Sequence, residues 1–205
     1  MRNPLGGFVN QQKNLRGINF MLRLHSYFSA DDIPPQYECQ IRSFLRIQWH
    51  GTEEDDNNEP LIDSELHPVF FFLARENTLV SYARLIWMNV SHNGQTYKSY
   101  GLGDVFTYPA SRNKGYGGQV VTSATDYIRS DPKADIALLL TEPSLHSFYQ
   151  RSGWQHISDL SISFGDYENP QSYAGYPMML FLSKKAQEAR REFQKYPVFL
   201  PGDEW

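Results

Sequence analysis

A chain of 205 residues matches the length of one domain, and its 40% hydrophobic and 15% aromatic content is enough for a packed core, which excludes a disordered chain. Nineteen basic against 23 acidic side chains, a net charge of −4, leave no basic excess, so a dedicated nucleic-acid binder is excluded as well. The single cysteine, Cys39, cannot close an intramolecular disulfide, no run approaches the roughly 18 apolar residues of a membrane span, and the opening lacks a secretory apolar block. A single cytoplasmic domain over 1–205, with neither nucleic-acid nor membrane partner, is the expectation.

After a polar leader, Ile18 to His25 is apolar and partly alternating, which predicts a first strand. Ser29 to Pro35 combines capping residues with prolines at the mouth of a helix that carries Tyr37, Ile41, Phe44, Leu45 and Gln48 and ends near His50. Cys39 falls inside that pattern, where a thiol is expected as inert packing. Gly51 to Pro60 holds no apolar residue and is densely acidic, which predicts an exposed loop. Three strands follow, Val69–Ala74, Leu79–Val90 and Tyr97–Thr107, the last two joined by an Asn93-Gly94 hairpin turn, so an antiparallel meander is expected.

From Gly115 the apolar spacing turns helical, with Val120, Val121, Ala124 and Ile128, until Asp131-Pro132 stops it. Ile136–Thr141 is continuously apolar, as in a strand buried on both faces of a parallel pairing. A short helix after Pro143, strands near His156–Phe164 and Pro177–Leu182, a surface helix Lys184–Lys195 and a tail from Pro197 complete the chain.

The segment richest in chemistry runs Val105-Phe-Thr-Tyr-Pro109, then Ala-Ser-Arg112-Asn-Lys-Gly115-Tyr-Gly117-Gly118: a strand, a glycine-dense turn and a helix start. Free backbone N–H groups and the positive helix end favour an anion there, glycines let it approach closely, and Arg112 and Lys114 add charge. A Walker loop and a dinucleotide fingerprint both need other spacings.

The spacing Arg112-x-x-Gly115-x-Gly117 after Pro109, followed by Phe148-Tyr-Gln-Arg-Ser-Gly-Trp154, resembles the two motifs of the GNAT superfamily of acetyl-CoA-dependent N-acetyltransferases over roughly residues 69 to 182, leaving a C-terminal helix and tail at 183–205. The resemblance implies an α+β (α/β-like) fold: a mixed, mostly antiparallel central sheet of about seven strands, flanked by helices and splayed at the acetyl-CoA cleft. It further implies that backbone N–H groups of Asn113, Lys114, Gly115, Tyr116, Gly117 and Gly118 hold the pyrophosphate of acetyl-CoA, the acyl donor. Arg112 would order the loop or touch phosphate, or is an ordinary surface charge. Val105, Phe106 and Thr107 would pair with the pantetheine arm and supply an oxyanion donor, although their side chains also read as core.

Tyr149 matches the superfamily's tyrosine and is the candidate acid for the departing thiolate, against a reading as a buried aromatic. Asp104, a carboxylate in an apolar stretch beside the thioester, is the candidate base, or orients a water, or serves as a structural acceptor. No metal is expected, because the six histidines and Cys39 show no ligand spacing, and the amine should attack acetyl-CoA directly.

For the acceptor, Tyr167, Tyr173 and Tyr176 with Asp166 and Glu168 suit a cationic amine, or form a plain β connection. Asp203-Glu-Trp205 would line an acceptor cleft, or is a frayed terminus. A small-molecule primary amine, such as an aminoglycoside, polyamine or amino-sugar-like metabolite, is the expected acceptor. The alternatives are protein N-acetylation and a non-catalytic acyl-CoA sensor, and the resemblance allows a homodimer.

Overall fold

The computed structural model describes residues 10–11, 21–48, 61–173 and 175–202. The leader, the acidic loop Gly51–Pro60 and Asp203–Trp205 therefore lie outside the described residues, apart from the pair Asn10–Gln11. The chain forms two compact units, one within Met1–Arg84 and Asp104–Val120, the other within Leu85–Gly103 and Val121–Trp205.

In the first unit β1 (Asn10–Gln11) pairs antiparallel with β2 (Met21–Tyr27), and β2 with β3 (Val69–Arg75) in the register Leu22↔Arg75 to Tyr27↔Phe70. β4 (Thr78–His92) begins here beside β3, and β5 (Gln95–Thr107) ends here beside β4. All residues from Val69 to Ala74 are buried, as their unbroken apolar run demands. Helix α1 (Pro35–Gln48) buries Tyr37 and Ile41, one turn apart; the Tyr37 hydroxyl donates to Glu76 O at 2.7 Å, and Leu79 N–H donates to Gln40 Oε1 at 2.8 Å. Cys39 is exposed, which corrects its expected role as packing: two residues past Tyr37, it points to the opposite side of the helix.

His25 and Tyr27 stand two apart on β2, and both rings stack on Phe72, at 5.1 and 5.5 Å between centroids, with Tyr37 closing over it at 4.9 Å. Burial, then the Arg23 charge, pushes the His25 imidazole below its ordinary 6.5. The unfolded chain therefore takes up this proton first as pH falls. The stability His25 contributes is fully present above 6.5 and is lost below it, toward the lower folded value. Urea midpoints should fall on acidification through that window, and His25→Gln should flatten the fall; equal slopes would contradict the assignment.

In the second unit β6 (Ile136–Thr141) pairs in parallel with β5 and antiparallel with β10 (Tyr176–Phe181), whose other edge holds β7 (Gln155–His156). The β5–β6 ladder runs from Ser99↔Ile136 to Gly101↔Leu138, whereas β10 accompanies β6 as far as Thr141. Helix α2 (Tyr116–Ser130), whose first turn belongs to the first unit, buries Val121, Ala124 and Ile128 completely. Helix α3 (His146–Gln150) follows a 3-10 turn at Pro143–Leu145. Trp154 is wholly buried and donates Nε1–H to Thr125 Oγ1 at 3.0 Å, so its one polar atom is satisfied.

Three expectations are corrected here. The strand anticipated at His156–Phe164 is two strands, because Asp159 turns the chain through a positive φ of 65°; β8 (Ile162–Asp166) then leaves the main sheet and pairs with β9 (Asn169–Ser172) and, in parallel, with β11 (Val198–Pro201). The helix expected over Lys184–Lys195 is α4 (Lys184–Glu188) and α5 (Arg190–Lys195), broken at Ala189, so that Phe193 stacks on His92 at 4.2 Å. The tail is ordered as far as β11, since alternate Val198 and Leu200 are buried.

The architecture is α+β with a mostly antiparallel sheet. No helix among the described residues is long and apolar enough to cross a membrane.

Candidate active site

β5 hands over to α2 through a 3-10 turn at Pro109–Ser111 and two left-handed residues, Asn113 at φ 61° and Gly115 at φ 79°. The predicted cations tie down the turn: Arg112 Nε–H donates to Thr107 O at 3.1 Å and Lys114 Nζ–H to Ala110 O at 2.9 Å. Among the three readings of Arg112, the contact with Thr107 O is the one that would order the loop. The first backbone bond of α2 is Gln119 N–H to Gly115 O, so the N–H groups of Tyr116, Gly117 and Gly118 have no acceptor within the helix. A Cβ on Gly115 or Gly118 would meet nothing within 4 Å. An anion thus finds donors and open space at one place, the requirement for a phosphate cradle. Tyr116 is buried, and its hydroxyl accepts from Arg75 at 3.1 Å, which anchors the start of the helix. Beside it a pocket of about 260 Å³ is lined by Arg75, Glu76, Thr78, Leu79, Val80, Tyr108 and Ser111.

Upstream, Phe106 is core, stacked on Phe44 at 4.4 Å and Tyr82 at 5.2 Å. The Ser81 hydroxyl bonds Phe106 O and Thr107 Oγ1, each at 2.9 Å. Val105 and Thr107 are half-buried. Asp104 breaks the extended run with a φ of 53°, a conformation Asp tolerates better than most residues. Its carboxylate meets Arg84 Nε at 2.7 Å, with side chains only 21% and 10% exposed. Burial, then the Asp104 charge, raises the hydroxyl of the neighbouring Tyr82 far above its ordinary value.

Tyr149 belongs to the second unit. It is buried on α3, with Phe148 edge-on at 4.8 Å. Burial pushes its hydroxyl up to about 12, and a hydrogen bond from Thr141 partly opposes the rise. The first unit thus brings together the cradle, Val105–Thr107 and Asp104, and the second holds Tyr149 with Thr141. Of the loop tyrosines, Tyr173 packs on Phe164 at 4.1 Å and Tyr176 bonds His146 at 2.9 Å, while Tyr167 is 81% exposed at the β8–β9 turn.

Arg84 was absent from the expected site, although it is the lone charge in the apolar stretch Leu79–Val90, a signal that it has a buried partner. Thr141 and His146 carried no comparable mark. Among the described residues no group of three or more His, Cys, Asp or Glu could hold a metal ion.

The family profile described as "Acetyltransferase (GNAT) domain" matches residues 26–157. Among solved structures, the chain resembles Escherichia coli ElaA at 13% identity and a TM-score of 0.54, over 78% of this chain and 99% of that one. An acyl-CoA N-acyltransferase from Pseudomonas aeruginosa follows at 16% identity and 0.53, over 77% and 98%. A GNAT family acetyltransferase from Brucella melitensis in complex with acetyl-CoA stands at 17% and 0.50, over 88% and 93%. No curated protein sequence matches. With a family profile spanning most of the chain and a fold shared with these structures, the protein belongs to the GNAT acetyltransferase family.

Proposed function

We propose that the protein transfers an acetyl group from acetyl-CoA directly to a primary amine of a small molecule. The observation that carries this reading is the helix start at Gly115–Gly118, whose first N–H groups precede the first intrahelical acceptor and where a Cβ on Gly115 or Gly118 would meet nothing within 4 Å. Bound there, acetyl-CoA supplies an activated acetyl group, whose bond to sulfur breaks as a bond to the amine nitrogen forms. In this reading Asn113–Gly118 hold the pyrophosphate through their backbone, and Arg112 and Lys114 keep the turn in shape. Val105–Thr107 offer strand backbone to the pantetheine arm and one N–H to the thioester oxygen. Tyr149 gives its proton to the departing sulfur: a phenol held near 12 stays protonated at neutral pH and is available as a donor.

For Asp104, the Arg84 ion pair supports the structural role over that of base. The small-molecule acceptor is supported by Tyr167, exposed beside Asp166 and Glu168, where an aromatic face and carboxylates suit a cation.

Thiol release from acetyl-CoA, screened over spermidine, glucosamine, an aminoglycoside and a lysine-bearing peptide, tests the reading. Faster release with a small amine than with the peptide is expected. Release with the peptide alone would overturn the acceptor class, and saturable binding without any transfer would make the chain a sensor.

A further inference from the structure

The pocket beside the start of α2 holds charged groups that the acyl-transfer reading leaves unused. Arg75 closes β3, and Glu76 and Asn77 make the turn into β4, with Glu76 at a left-handed φ of 53°. Three bonds to α1 fix this turn: the Tyr37 hydroxyl donates to Glu76 O at 2.7 Å, Gln40 Nε2–H donates to Asn77 O at 2.9 Å, and Leu79 N–H donates to Gln40 Oε1 at 2.8 Å. Tyr108 N–H donates to Val80 O at 2.9 Å, and Tyr108 and Ser111 line the pocket together with the turn. The walls are therefore set before anything enters. At about 260 Å³ the pocket lies below the roughly 300–1,000 Å³ of drug-sized sites, so its occupant is small.

Its charges lack partners. Of the three guanidinium nitrogens of Arg75 only Nη2 is bonded, to the Tyr116 hydroxyl at 3.1 Å; Nε is buried and meets no acceptor, and no carboxylate among the described residues pairs with the group. Buried donors are rarely left so, and an absent acceptor accounts for this one. Glu76 lines the same pocket, and its carboxylate makes no hydrogen bond or ion pair among the described residues. Glu76 opposes a phosphate or a dicarboxylate, whereas a molecule bearing both signs suits the pair. Leu79, Val80 and the ring of Tyr108, 46% exposed, suit an apolar group. β4 covers one edge of β5 here, so the pantetheine arm of the acyl-transfer reading has only the other edge. An occupant of the pocket is thus an effector and not the acetyl acceptor.

We propose that this pocket binds a free α-amino acid with an apolar side chain, and that its occupant tightens the hold of the α2 start on coenzyme A. The carboxylate of the amino acid takes the uncommitted nitrogens of Arg75, its ammonium lies by Glu76, and its side chain rests on Leu79, Val80 and Tyr108. The link between the two sites is the Arg75–Tyr116 bond: Tyr116 is buried and is the first residue of α2, and its N–H is one of the donors offered to the pyrophosphate. A carboxylate that fixes the guanidinium fixes that tyrosine, so part of the ordering cost of the cradle is met before coenzyme A arrives. By linkage, coenzyme A tightens the amino acid by the same factor. Binding of the amino acid stands without the acyl-transfer reading, and the coupling rests on it.

The probes are L-leucine and L-phenylalanine, with coenzyme A in place of acetyl-CoA so that no acetyl group can pass to them. Calorimetry is run on the wild type, Arg75→Gln and Thr78→Phe, the last of which fills the pocket from an exposed strand position that favours an aromatic. Expected are a wild-type Kd below about 1 mM for at least one probe, and binding at least about tenfold weaker for its amide and its N-acetyl derivative, each of which lacks one charge. Coenzyme A should bind about fivefold tighter or more when that amino acid is saturating. Both effects should vanish in both variants, while Thr78→Phe binds coenzyme A alone as the wild type does. No binding of either probe, equal binding of the N-acetyl derivative, or binding that survives in both variants would overturn the site. An amino acid that binds and leaves the affinity for coenzyme A unchanged would overturn the coupling, and a wild type that binds no coenzyme A would overturn the cradle and the acyl-transfer reading with it.

Discussion

Replacing Tyr149 by Phe is expected to lower kcat about a hundredfold or more while leaving the affinity for acetyl-CoA unchanged, the mark of a group that acts on the leaving sulfur rather than in binding. The ring would stay where it is, buried on α3 with Phe148 edge-on, so packing is preserved. Only the hydroxyl and its Thr141 partner are lost, and Thr141 is half-buried at the end of β6 and can turn to water. The alkaline limb of the pH–rate profile is informative too: a donor held up to about 12 imposes no loss of rate of its own near pH 9. Unchanged turnover would remove Tyr149 from the chemistry.

The second large effect is expected at the Arg84–Asp104 pair. Arg84→Met leaves a carboxylate at a left-handed strand position without its cation, and Asp104→Asn leaves a nearly buried guanidinium without its anion. Each single change should cost about 2 kcal/mol or more, short of the ~3–5 kcal/mol of a fully buried pair because Asp104 keeps some contact with water. The double variant should lose less than the sum, since no orphaned charge remains. Urea titrations of all four proteins measure this coupling. Asn tolerates positive φ much as Asp does, so the comparison reads charge rather than backbone strain. If Asp104→Asn also keeps the wild-type pH–rate profile, Asp104 is not the base; a lost acidic limb would restore it to that role.

What the sequence made legible followed from periodicity and glycine. The unbroken apolar runs at Val69–Ala74 and Ile136–Thr141 read as buried strands, and the glycine-dense turn after Thr107 marked the change from strand to helix. The misses share a cause, in that tertiary contact decided them. Asp159 and Ala189 lie in stretches whose local pattern continues smoothly, and the chain turns there because of where Ile162 and Phe193 find their core. Val198-Phe-Leu200 carries no strand signal of its own, because a four-residue strand is invisible until its partner is known. In the site, Arg84 and Asp104 are twenty residues apart in sequence and are joined only by the β4–β5 hairpin, and the His146–Tyr176 bond needs the β6–β10 register to exist.

The central claim is that the start of α2 holds the phosphates of acetyl-CoA, and Gly118→Leu tests it most directly. A Cβ there meets no atom of the surrounding protein within 4 Å, and leucine favours helix over glycine by up to about 1 kcal/mol, so the fold should survive or gain stability. The same side chain would occupy the space a pyrophosphate needs. Calorimetry with acetyl-CoA should find saturable binding to the wild type and none, or at least tenfold weaker binding, to a fully folded Gly118→Leu. Equal affinity in the two proteins would contradict the cradle.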